Sequence, residues 1–569
     1  MKYFVKKIYF IFFIANLLLV NNSAFSKNAE VSYNKNDISN YFSGIISINQ
    51  NNTTSGFKYL NKVKSLKNRH QNYNAQFLKS LVLLNKFDKA FSFSKDIWIK
   101  EVPFFDADLL IGLDHLINKD YLKSEKYFLR LNRISRYNLL YDDFLGNILL
   151  SWSQAAQNNQ EEAFNYNNKI PNQYRGIRII QNALLHCYFN SPESENLFTQ
   201  LNNFKEYSSS RYSFFLVNYL IHNGNNKKAQ SVISESRKKN STNLLIKQSE
   251  NYIKKKQQNK IKNMFDCRNP KDSIAEILYI IASLYSSNEN YNSSIFYLNL
   301  SYFLNQKFVP NKTLLAENYF YLKKYDLSKK TYNSLKKVGR VYSWHASTRL
   351  AVILKNMADK KSANSYLIKE FNKIQNPNFE NYYDIANFLK NNENYEKSVK
   401  YYSLALDSIE KNHPLIPKIL ERRGTSLERL GKWKKAEVDL LESLKILPDQ
   451  PYVLNYLAYT WVDKKKNVTK SLEMLIKANE LQENDGYIID SLGWAYYVDK
   501  NYLEAEKFLQ KAVEIMPLDP VINDHYADAL WMRKKDIQAR YLWKHVLNLK
   551  KTEKELREKI EKKLIFGIM

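Results

Sequence analysis

The feature that most constrains this chain is a period. The same spacing of small and large apolar residues restarts at 275, 309, 344, 379, 417, 451, 486 and 520. The interval stays close to one value, as in stacked arrays whose unit is about 34 residues long. In the unit beginning at Gly486, Ile489, Leu492, Gly493 and Tyr496 are followed by Ala505, Leu509 and Ala512, then by Pro517. A unit of that size holding two helix-period stretches cannot bury its own apolar stripe, so neighbouring units must stack. Small residues at positions 8 and 20 (Gly493 with Ala505, Ala282 with Ser294, Ala351 with Ala363) let the two helices of a unit approach closely. Larger residues at positions 4, 7, 11 and 24 fill the space around that contact, and a proline near position 32 ends the second helix. A chain of 569 residues would otherwise need roughly three or four separate cores, a limit that a stacked array escapes.

Composition agrees. Twelve Gly and twelve Pro are too few for the hairpins of a strand-and-turn fold, and 42 Tyr with 31 Phe exclude global disorder. The first half is a fainter copy, with starts at 37, 71 and 105 and a further unit near 210 (Val217, Ala229). Residues 144–205 and 244–270 read as amphipathic helices outside the frame. The basic run in 254–274, with Asn269-Pro270, reads as a linker between a divergent solenoid at 27–253 and an array of about eight repeats at 275–550. Residues 551–569, with Leu556, Ile560 and Leu564 at four-residue spacing, read as a charged capping helix.

The N-terminus reads as an export signal at 1–26. Lys2, Lys6 and Lys7 precede an apolar run from Ile8 to Val20 broken only by Asn16, and Ala24 and Ser26 suit cleavage before Lys27. The run is short for a membrane span, so the expectation is a periplasmic protein, with an uncleaved anchor as the alternative. Two cysteines are present, Cys187 and Cys267. An oxidising compartment permits their pairing, but Cys187 lies in the apolar stretch Ile179 to Phe189, where a buried free thiol is the default expectation. The net charge of +29 (+26 without Lys2, Lys6 and Lys7) comes from lysines scattered along the chain, which read chiefly as solvated faces.

The pattern in the unit at 486 resembles the tetratricopeptide repeat (TPR), with Ile489 and Leu509 at positions that usually hold Trp and Phe. Residues 451–549, with Asn455-Tyr456-Leu457-Ala458-Tyr459, Asn484 to Trp494 and Pro520 to His525, are similar to exported TPR proteins of alphaproteobacteria. The resemblance implies an all-α fold of helix-turn-helix repeats stacked into a right-handed superhelical solenoid. It also implies that the first helix of each repeat, helix A, lines a concave groove with positions 2, 5, 9, 12 and 13. On that basis the candidate partner-binding residues are Asn455, Tyr459, Tyr487, Asp490, Trp494, Tyr497, Asp524, Asp528 and Trp531. Accessible aromatics are common binding anchors, and carboxylates would select basic or amide-donating groups. Positions 2, 5 and 9 lack the basic set that holds a terminal carboxylate in chaperone-tail-binding repeats.

A search for chemistry returns no His-Glu-x-x-His, no phosphate loop, no Cys-x-x-Cys and no nucleophile elbow. His525 is at position 6 of its repeat and is expected to point away from Asp524 and Asp528, against a shared metal. The expectation is a non-enzymatic scaffold without cofactor or metal, binding a protein or extended peptide and no nucleic acid. The alternative is a basic protein that holds anionic cell-wall polymer or membrane headgroups.

Overall fold

The computed structural model describes residues 34–67, 69–97, 104–135, 143–203, 210–239 and 242–568, so the export-signal segment lies outside the described residues. Among those residues there are 31 α-helices, two short 3-10 turns and no strand. Thirty of the helices pair as fifteen helical hairpins, and Lys554–Phe566 follows alone. The chain is an all-α repeat solenoid.

One backbone device sets the register. Helix A of most repeats ends with a left-handed residue at position 15, for example Asn51, Asn85, Lys119, Lys323, Glu393 and Lys500. The amide at position 16 then donates to the carbonyl at position 11, as Lys86 does to Leu81 and Asn501 to Tyr496, both at 2.9 Å. This is the Schellman way of satisfying carbonyls at a helix end. Asn158, Asn190 and Lys256 carry the same signature, with Asn159 donating to Gln154, Ser191 to His186 and Gln257 to Tyr252. Repeats therefore also begin at 144, 176 and 242, filling the two stretches in which no frame was expected.

Positions 8 and 20 meet as the sequence implies. Ser294 Oγ donates to the Ala282 carbonyl at 2.7 Å and Ser328 Oγ to the Ala316 carbonyl at 2.8 Å. A Cβ on Gly493 would lie 2.6 Å from Leu509 Cγ, so only glycine permits that approach. The terminal helix keeps the beat, because 554 follows 520 at the same interval as 520 follows 486. Its Ile560, at position 7, is fully buried against Ala527, Trp543 and Val546, so it stands where helix A of a further repeat would stand.

The chain divides into two compact units, Met1–Tyr342 and Ser343–Met569. The division falls inside the helix Arg340–Met357. Residues 254–274 instead lie within the first unit, where Ile261, Met264, Phe265 and Cys267 are buried. The first unit carries contacts between residues distant in sequence. Its helix Tyr291–Leu304 is buried from Ser294 through Ser301 without a break, the pattern of a helix covered all round. Asn299 Nδ2 donates to the Val82 carbonyl at 3.0 Å, and Phe303 stacks on Phe87 with ring centres 4.3 Å apart.

The expectation of a free thiol at Cys187 is corrected. Cys187 and Cys267 form a disulfide, with Cα atoms 6.0 Å apart and a sequence separation of 80. Both residues are buried, as the apolar setting of Cys187 implies, but the partner sulfur comes from the segment expected to be a linker.

Candidate partner-binding groove

The candidate residues lie on three successive A helices of the second unit, Pro451–Asp463, Gly486–Val498 and Pro520–Met532. Each start follows from local chemistry. Asp485 Oδ1 accepts from the amides of Tyr487 (3.0 Å) and Ile488 (3.3 Å), and Asp519 Oδ1 accepts from Val521 (3.0 Å) and Ile522 (3.2 Å). Pro451 and Pro520 occupy first-turn positions, where a missing N–H costs nothing.

The structure brings the carboxylates together with cations of the chain itself. His525 Nδ1 lies 3.0 and 3.1 Å from the two carboxylate oxygens of Asp490, one repeat earlier, and both residues are buried. Burial works against the imidazolium. Asp490, by charge and hydrogen bond, and then Asp524 and Asp528, outweigh it and hold the imidazole above its ordinary range. Lys563 Nζ lies 2.8 and 2.9 Å from the two oxygens of Asp524 and 2.7 Å from each of those of Asp528, so its three N–H donors are shared between the two carboxylates. Burial pushes the Asp528 carboxyl up to about 6, with the Asp524 charge adding to it and Lys563 opposing. Asp528 also accepts from Trp543 Nε1 at 3.1 Å. Asp490, Asp524 and Asp528 thus join one repeat to the next, rather than offering free carboxylates to a partner as their positions suggested.

Trp531 is likewise spoken for. Its ring lies 5.4 Å from that of Trp543, under the Arg540 guanidinium at 5.2 Å. Gly567 approaches so closely that a Cβ there would be 2.2 Å from the indole. What remains on this face is aromatic. Trp494 stacks on Tyr497 (4.6 Å, 8° between planes) and on the His525 ring (4.1 Å, 15°). Tyr459, Trp494 and Tyr497 are half-buried and Tyr487 is exposed. Burial, with Asp490 and Asp463 nearby, pushes the Tyr459 hydroxyl up to about 12, so it stays a donor. Asn455 is half-buried, and its Oδ1 is enclosed without a hydrogen-bond partner.

Sequence reasoning missed two things here. The Asp490–His525 pair joins position 5 of one repeat to position 6 of the next, a match visible once the frame is known. Lys563 is position 10 of the frame extended to 554. A third omission lies in the first unit. A cavity of about 440 Å³ is lined by Arg211, Tyr212, Tyr279, Thr313, Glu317 and Tyr342 among others. Arg211 is position 2 of the repeat at 210, Tyr279 position 5 of that at 275, and Thr313 and Glu317 positions 5 and 9 of that at 309. Arg211 Nε lies 2.8 Å from Glu276 Oε1, and its guanidinium sits over the Tyr279 ring at 5.4 Å. Burial pushes the Glu276 carboxyl up to about 7 against the pull of Arg211.

Fold and site together define a helical repeat array whose accessible groove residues are aromatic. Among the described residues, no group of three or more His, Cys, Asp or Glu could hold a metal ion, and no helix is long and apolar enough to cross a membrane. Residues 379–412 match the family model of the tetratricopeptide repeat. Over 132 residues the chain is 30% identical to a TPR repeat-containing protein of Pseudomonas aeruginosa, a stretch that is 23% of this chain and 22% of the relative. The chain therefore covers about a fifth of that relative's length. Solved structures that align with it include a tetratricopeptide repeat protein of Parabacteroides merdae, at 20% identity over 38% of this chain and 86% of the other (TM-score 0.33). Yeast Tom70 aligns at 16% identity over 79% and 93% (TM-score 0.32).

Proposed function

We propose that this protein is a non-enzymatic scaffold, exported from the cytoplasm, that captures a protein or extended peptide along the A-helix face of its second unit. The observation that carries the reading is the partly exposed Tyr459, Trp494 and Tyr497 surface, flanked by carboxylates already neutralised inside the array. Aromatic side chains that can be desolvated supply binding energy. The internal ion pairs fix the helices that present them. Export is supported by the signal-like N-terminus and by the Cys187–Cys267 disulfide, since such bonds persist in oxidising compartments. An envelope role in complex assembly accords with both.

The test is cross-linking capture from the native envelope fraction at low and high salt, with Trp494→Ala as the control. Trp531→Ala is the wrong control, because that indole packs against Trp543 and Gly567. A protein partner retained at high salt and lost with Trp494→Ala supports the aromatic face. Recovery only of anionic polymer, lost as salt screens charges beyond about 8–10 Å and indifferent to Trp494, would move the function to the basic surface.

A further inference from the structure

The linker edge that borders the A-helix face at position 2, where Tyr487 belongs to both, is unlike the rest of the chain. Where helix B of one repeat gives way to helix A of the next, the segments 447–455, 481–490 and 515–524 contain no Lys, Arg or His. Lys and Arg number 86 in 569, about one in seven, so three such segments would ordinarily carry about four. The same segments carry Asp449, Glu483, Asp485 and Asp519 in their linkers. They also expose large apolar side chains in register. Leu447 and Leu481 end two B helices, Leu518 lies in the third linker, and Tyr452, Tyr487 and Val521 occupy position 2 of three consecutive A helices. Exposure reaches 61% for Tyr452, 57% for Tyr487 and 70% for Leu518. Tyr452 Oη donates to Asp485 Oδ2 at 3.3 Å, so successive linkers lie side by side and the residues form one edge. Lys477 pairs with Asp449 at 2.7 Å, while Glu483 keeps its carboxylate exposed.

We infer that this linker edge is a docking surface for a partner segment combining large apolar side chains with Lys or Arg. An exposed apolar row in register is the kind of patch that marks an interaction site. A row edged by carboxylates, in a chain whose net charge is +29, selects a basic segment where the chain as a whole favours an acidic one. A basic amphipathic segment placed there buries its apolar side chains on Tyr452, Tyr487 and Leu518 and sets its cations against Glu483, Asp485 and Asp519. The inference rests on the protein-binding reading above, extends its surface from position 2 along the linkers, and assigns it a partner chemistry.

The experiment uses the full chain and two labelled model peptides with blocked termini, an amphipathic Leu/Lys helix and its Leu/Glu counterpart, read by fluorescence anisotropy. Net charge alone favours the Leu/Glu peptide, so a preference for Leu/Lys can come only from a local acidic site. The expected result is binding of Leu/Lys at least about tenfold tighter than Leu/Glu, weakened about tenfold by Tyr452→Ser/Tyr487→Ser/Leu518→Ser, and weakened separately by Glu483→Lys. These side chains are exposed, so thermal unfolding of the variants should match the parent. Equal binding of the two peptides, or binding indifferent to the edge variants, overturns the inference. So does loss with Trp494→Ala alone, which leaves the aromatic groove reading intact. Concentration-dependent self-association in sedimentation velocity that the triple variant removes would make the occupant a second copy of this chain, and also overturns it.

Discussion

The two units of this protein are built from the same hairpin but hold together differently. In Ser343–Met569 the repeats from 379 onward, and the terminal helix, touch their neighbours in sequence. The buried clusters follow one another down the chain, as with Leu440, Val453, Leu457 and Trp461, then Ala458, Val462, Leu475 and Leu492. In Met1–Tyr342 the repeats start at uneven intervals, and partners come from far away. Asn299 bonds a carbonyl 217 residues earlier, and Cys187 is joined to a residue 80 later. A row of nearest-neighbour contacts gives a stability that is a sum of local terms, so damage stays local. A unit closed by long-range contacts should fail as a whole.

The largest expected effect tests the closed unit. A cross-link enclosing about 80 residues removes much of the unfolded chain's freedom and should contribute about 4 kcal/mol. Calorimetry of Cys187→Ser/Cys267→Ser, or of the parent under reductant, should show the transition of the first unit moving down while that of the second stays in place. Movement of both transitions, or of neither, would break the comparison.

The second effect tests locality at the other end of the chain. Lys563→Ala leaves Asp524 and Asp528 buried without their cation, and breaking a buried ion pair from one side costs about 3 kcal/mol or more. Hydrogen exchange should rise in 520–548, with Trp531 and Trp543 reporting the change, while the repeats at 379 and 417 keep their protection. Adding Asp524→Asn and Asp528→Asn should recover most of the loss, because no buried charge then remains unpaired. Unfolding of the whole second unit at once would contradict a nearest-neighbour array.

This contrast also explains what could be read from sequence. From 275 to 520 the starts fall 34 to 38 residues apart and small residues recur near positions 8 and 20, so the repeats were legible, whereas 551–569 read only as a cap. The repeat at 144 has the right small pair, Ser151 with Ala163, and Ser151 Oγ indeed donates to the Ala163 carbonyl at 2.7 Å. It escaped because the even period places the start after 105 near 139 rather than at 144. The repeats at 176 and 242 carry Glu195 and Ile261 at position 20, so their signature lies in the left-handed turn rather than in side-chain size. The candidate site was half legible. Frame positions placed the aromatics on the A helices, but whether a carboxylate is free depends on what the next repeat puts beside it. That required knowing that 554 opens another A helix. Pairings such as Asn299 with Val82 leave no periodic trace at all.

The smallest effect sharpens the comparison through pH. His525 is held protonated more readily in the fold than in the unfolded chain, so its contribution is fully present below about pH 6.5, its ordinary value, and is lost as pH rises through the higher folded value. The groups facing it are Asp490, Asp524 and Asp528, with Trp494 stacked on the ring. Asp528 acts in the same direction at lower pH. Its carboxyl is raised to about 6, so the fold loses stability as pH climbs from the ordinary carboxylate range toward that value. Stability of the last two repeats should therefore fall in two separable windows as pH rises, one ending near 6 and one beginning above 6.5. Asp528→Asn should flatten the first and His525→Gln the second. Because the pair joins only the repeats at 486 and 520, His525→Gln should change the pH dependence of local exchange protection there and leave untouched that of the first unit, where burial raises Glu276 to about 7. A His525→Gln change that moves the pH dependence of both units equally would assign it to the net charge of the chain instead.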